Sequence, residues 1–121
     1  MTVKECYTKF EGDYVGVLSR LMKDALVSRF LLMFLDDKEH AAFHEALDAG
    51  DYPTAFRAVH TLKGACLNLG FTKLAGFADV LTEALRNGAP SEDISGMIGD
   101  LDAQYALTRS VIKEFKENPE V

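Results

Sequence analysis

The chain has 121 residues, 48% of them hydrophobic, and carries 13 basic against 19 acidic side chains for a formal net charge of −6. That length suits a single domain spanning residues 1–121 and leaves no room for a second. The acidic balance excludes nucleic acid and an anionic membrane surface as natural partners, and the longest purely apolar run, Phe30 to Leu35, is far too short to span a bilayer.

The opening Met1-Thr2-Val3-Lys4-Glu5 is polar and no apolar signal-peptide stretch follows it. The core is therefore expected to begin near residue 13, with frayed ends on either side. Asp13 to Arg20 reads as a short helix, and Met22 to Leu35 is apolar enough to be buried on most sides. Asp36-Asp37 interrupts it, and Lys38 to Ala49 forms another helix with Ala42, Phe43, Ala46 and Leu47 as its apolar side.

Three segments then read as helix stop followed by helix start: Gly50-Asp51-Tyr52-Pro53, Gly70-Phe71-Thr72 and Asn87-Gly88-Ala89-Pro90-Ser91. The helix from about Thr72 to Asn87 shows Leu74, Ala78, Leu81 and Leu85 at core spacing, and the last helix, about Ser91 to Lys116, repeats the pattern from Ile94 to Phe115. Gly96 and Gly99 weaken its start. No strand-like alternation, internal repeat or low-complexity tract interrupts this order, and short links between long helices make antiparallel neighbours. Cys6 and Cys66 are the only cysteines; they indicate reduced thiols in a cytoplasmic protein rather than a disulfide framework.

Between the first two stops, Ala55, Ala58, Val59, Leu62, Ala65, Cys66 and Leu69 gather into one apolar stripe of a helix, and His60 points almost directly away from it. Lys63 and Gly64, three and four residues on, share the face of His60. Phe56 and Leu67 flank it along the helix, and paired large apolar side chains on an outward face mark a docking surface. A neutral imidazole aimed at solvent offers a free lone pair as a nucleophile.

His60-Thr61-Leu62-Lys63-Gly64, followed by Asn68-Leu69-Gly70, closely resembles the signature of histidine-phosphotransfer domains of bacterial phosphorelays. Phe34-Leu35-Asp36, Ala46-Leu47-Asp48-Ala49-Gly50-Asp51 and Leu81-Thr82-Glu83-Ala84-Leu85-Arg86 fall where that family has similar stretches, so the resemblance covers roughly residues 13 to 88. It implies an all-α antiparallel four-helix bundle, here with a short extra N-terminal helix and a long C-terminal helix. It implies further that His60 accepts a phosphoryl group from a receiver-domain phospho-aspartate and passes it to another receiver. Response-regulator receiver domains are the implied partners, with a hybrid sensor histidine kinase as a further candidate.

The transition state of phosphoryl transfer is stabilised by positioning and by neutralising the phosphoryl oxygens. Lys63 is the expected cation, and Gly64 leaves clearance for the phosphoryl group and the partner. An antiparallel partner helix brings Thr82 level with His60, one turn from Arg86, and these two match the family's phosphoryl-flanking positions. Phe56, Arg57 and Leu67, with Pro53 and Ala75, are the expected docking residues.

No glycine-rich nucleotide loop or phosphate cradle accompanies them, so the chain is expected to be a carrier rather than an enzyme, without a cofactor, the magnesium residing on the partner receiver. It is read as a monomeric, free-standing cytoplasmic protein. A second reading is an adaptor of the same fold that binds receivers or kinases without carrying phosphate. His40 and His44, one turn apart, make a two-histidine metal site conceivable; for want of a third ligand in the sequence they read as polar residues of a solvated helix, and no metal is expected.

Overall fold

Asp13 and Asp51 each turn their carboxylate back onto a backbone N–H three residues later, Gly16 at 2.9 Å and Thr54 at 3.2 Å, which satisfies a donor left free at a helix start. They open the second and fifth of seven helices. The computed structural model describes residues 1–120, and the helices are α1 (Val3–Lys9), α2 (Tyr14–Leu21), α3 (Asp24–Phe34), α4 (Glu39–Asp48), α5 (Tyr52–Leu69), α6 (Thr72–Leu85) and α7 (Ser95–Glu117), with no strand among the described residues.

The fold is an all-α bundle. α5 packs chiefly between α4 and α6, α6 also packs on α7, and α1 and α3 lean on α7. The α5/α6 pair is antiparallel: Lys63 meets Asp79 across the seam, while Phe56, two turns earlier, meets Arg86, two turns later. One contiguous apolar core runs through all seven helices. At one end of it the Phe71 ring is surrounded by those of Tyr7, Phe10 and Phe34, with centroids 6.0, 5.0 and 5.0 Å away; the last two contacts are edge-to-face, the favoured geometry for aromatic pairs.

The N-terminal region departs from the sequence reading. Residues before Asp13 are not frayed but form α1, which buries Val3, Cys6 and Tyr7, with Phe10 just beyond it. Seven residues are too few to show a helical period in sequence, and burial of aromatic rings rather than intrinsic propensity holds the helix. The chain ends are also tied: the Met1 ammonium donates to the Asn118 carbonyl at 2.9 Å, and the Glu120 N–H donates to the Met1 carbonyl at 3.0 Å. Val121 lies outside the described residues. α7 starts at Ser95 rather than Ser91, and the Ser95 N–H, free at this helix start, donates to Asp93 Oδ1 at 2.9 Å.

This N-terminal region fixes the C-terminal end of α5. Its cap, Gly70, has φ +73°, and the Gly70 carbonyl accepts the Asp13 N–H at 2.7 Å. Tyr7 Oη donates to the Leu69 carbonyl at 2.6 Å, and Arg20 donates to the Leu67 and Asn68 carbonyls at 3.2 and 2.9 Å. Carbonyls that a helix end leaves unpaired are thereby satisfied. α5 is thus held at its start by Asp51 and at its end by α1 and α2.

Candidate functional site

On α5 the side chains of Ala55, Ala58, Val59, Leu62 and Cys66 are buried, while Ala65 and Leu69 lie half-buried at the edge of that stripe. His60 stands on the opposite side, mid-helix and exposed. Among the described residues neither of its ring nitrogens has a hydrogen-bond partner. The Phe56 ring, one turn earlier, lies parallel to the imidazole, with centroids 5.8 Å apart and 4° between planes. That contact orients the ring without occupying a nitrogen.

Gly64, one turn later, leaves the surface bare: a methyl group there would meet no other atom within 4 Å. Leu67 is 55% exposed, an uncovered apolar side chain on the same side of the helix. Arg57 and Pro53 are exposed, and Arg57 donates to Thr54 Oγ1 at 3.1 Å. Lys63 Nζ lies 2.8 Å from Asp79 Oδ1 of α6.

Two expected residues are not on this surface. Thr82 is fully buried and its hydroxyl donates to the Ala78 carbonyl at 2.8 Å, so it offers nothing to a group on His60. α6 packs against both α5 and α7, which widens its buried arc to Leu74, Ala75, Ala78, Leu81, Thr82 and Leu85. A threonine fits inside that arc because its hydroxyl can bond the carbonyl one turn back. Ala75, expected at the docking rim, is buried by the same packing.

The polar residues that α6 and its C-cap present beside the middle of α5 are Asp79, Glu83 and Arg86. Arg86 donates two hydrogen bonds to Glu83, at 2.7 and 3.0 Å, and lies over the Phe56 ring at 5.6 Å. Those bonds hold the Glu83 carboxyl below the usual carboxylate range, with smaller attractions from Lys63 and His60. Glu83 is the residue sequence reasoning missed, and its spacing, four after Asp79 and three before Arg86, was the available signal. The site thus consists of one unpartnered imidazole, two cations each held by a carboxylate, an open backbone patch and an apolar flank.

No helix among the described residues is long and apolar enough to cross a membrane. A helical bundle that presents a lone histidine from mid-helix, beside a lysine and a bare glycine, has the form of a phosphorelay module. The Hpt domain family model matches residues 29–110, from within α3 to within α7 and across the whole of α5 and α6, and the chain belongs to that family. Its general role is histidine phosphotransfer in a phosphorelay, as a phosphocarrier module that works with response-regulator receiver domains. No curated protein and no solved structure matches the chain.

Proposed function

We propose that His60 is the phosphoacceptor, taking a phosphoryl group from the phospho-aspartate of one receiver domain and passing it to the aspartate of another in a multistep relay. A ring nitrogen attacks phosphorus, the bond from phosphorus to the aspartyl oxygen breaks, and the carboxylate leaves with the electron pair; the reverse sequence loads the next receiver. The observation that carries this reading is the exposed, unpartnered imidazole in the middle of a helix fixed at both ends. A nucleophile held in this way loses no existing bond when it reacts and needs little reorganisation.

Lys63 would supply the charge that neutralises the phosphoryl oxygens, exchanging Asp79 for them as the group arrives. Gly64 would give clearance, and Leu67, Phe56 and Arg57 would meet the receiver, which brings the magnesium. The chain itself would be one cytoplasmic domain without a catalytic centre of its own.

The test is incubation with a phosphorylated receiver followed by assay for acid-labile, base-stable phosphate on this chain. Transfer to the native chain and none to His60→Ala is expected. Transfer that persists in His60→Ala overturns the assignment, and binding to receivers without transfer from any of them favours an adaptor.

A further inference from the structure

His40 and His44 lie on one face of α4, and the fold brings Asp102 of α7 between them. Each Nε2 is 2.7 Å from the same oxygen, Asp102 Oδ1, and the three ligand atoms all lie within 4.8 Å of one another. We propose that these three residues form a binding site for a divalent transition-metal ion, with zinc as the ion whose preferences they meet.

The donor set is two imidazoles and one carboxylate, the combination that holds zinc with one position left to water. Around a tetrahedral zinc, donor atoms stand about 3.3 Å apart, so the ion would part each nitrogen from the shared oxygen by about 0.6 Å relative to the 2.7 Å observed. Small rotations of the more exposed His44 and Asp102 side chains would accommodate that, with His40 held by its stacking on Tyr105. The side chains are 21%, 35% and 39% exposed for His40, His44 and Asp102, which leaves an open flank for entry and for the water.

The surroundings hold the ligands in place, as outer residues of metal sites do. The His40 ring is stacked on Tyr105 with centroids 3.9 Å apart and 10° between planes. Tyr105 Oη donates to Asp37 Oδ2 at 2.7 Å, and the same carboxylate accepts the Glu39 and His40 backbone N–H groups, each at 3.2 Å. One aspartate thus fixes both the start of α4 and the tyrosine that orients His40. An ion here would staple α4 to α7, on residues separate from His60 and its neighbours, and the inference does not depend on the phosphotransfer reading.

The experiment is titration of the full chain with zinc against a chromogenic chelator. One ion per chain is expected, with affinity lowered at least tenfold in both His44→Ala and Asp102→Asn, retained in His60→Ala, and accompanied by a rise in the melting temperature of the native chain. Failure to take up zinc, uptake that neither His44→Ala nor Asp102→Asn weakens, or uptake abolished by His60→Ala overturns the site. Should either ligand variant fail to fold by circular dichroism, ring-proton NMR of the native chain decides. Zinc that moves the His40 and His44 resonances and leaves His60 in place supports the site; zinc that moves His60 alone overturns it.

Discussion

Lys63 of α5 and Asp79 of α6 are joined across the helix seam, Nζ to Oδ1 at 2.8 Å, so the cation nearest His60 along its face is already held by a carboxylate. A phosphoryl group on His60 would compete with Asp79 for that ammonium. Removing the cation in Lys63→Ala should slow transfer about tenfold to a hundredfold, the value of one charge-assisted hydrogen bond. Asp79→Asn frees the ammonium and should leave transfer as fast or faster. Single-turnover transfer from a phosphorylated receiver measures both. A Lys63→Ala rate equal to that of the native chain would remove the lysine from the mechanism.

Gly64 separates stability from function. It sits in a regular helix with open space where a side chain would be, so Gly64→Ala should stabilise the fold by about 0.5–1 kcal/mol through helix propensity. On the proposed function a receiver would close over His60 at this methyl group, so the larger Gly64→Gln should slow transfer more than Gly64→Ala does. Urea midpoints and transfer rates on the two variants test the opposite signs.

Gly70 should behave in the reverse way. Its φ is +73°, and a Cβ there would lie 2.8 Å from the Asp13 carbonyl oxygen and 3.2 Å from Val17 Cβ. Gly70→Ala therefore imposes a left-handed residue and a backbone clash together, and should cost roughly 1–3 kcal/mol. Denaturant unfolding gives the value. A loss comparable to that of an exposed helical substitution would show that the α1–α2 region does not hold the end of α5.

The buried thiols make stability fall at high pH. Burial pushes the Cys6 thiol from 9.0 up to about 11, and burial with Asp37 nearby pushes Cys66 up as well. Below pH 9 both thiols are protonated in the folded and the unfolded chain, and neither affects the balance. Between pH 9 and 11 the unfolded chain releases the Cys6 proton while the folded chain keeps it, so stability declines through that window. Urea midpoints from pH 8 to 11 should show the decline, reduced in a Cys6→Ala, Cys66→Ala double variant. At pH 8 the native chain should react with a thiol reagent only after denaturation.

The helix order from Asp13 onward, the turn at Gly70-Phe71 and the outward direction of His60 were legible in the sequence. Each is local: a 3.6-residue period, a cap or a breaker acts over one or two turns, and those are interactions between near neighbours in the chain. The same locality placed Lys63 and Gly64 on the face of His60, and the short signature around them carried the resemblance to the family.

What lay between helices was not legible. Thr82 and His60 were level in an antiparallel pair, and the same register put Asp79 near the level of Lys63, as found; yet how far α6 rolls into the core depends on what α7 places behind it, and that roll buried Thr82 and left Glu83 facing outward. α1 has no period to read and exists because Tyr7 and Phe10 find Phe71. His40 and His44 lacked a third ligand in the sequence because Asp102 lies 58 residues beyond His44. Contacts at such separation are decided by the packing of whole helices, where burial of many side chains at once outweighs the preference of any one. The sequence by itself determined which helix carries His60 and that its imidazole faces outward; the tertiary structure decided how its neighbours' charges are paired and which distant side chains meet.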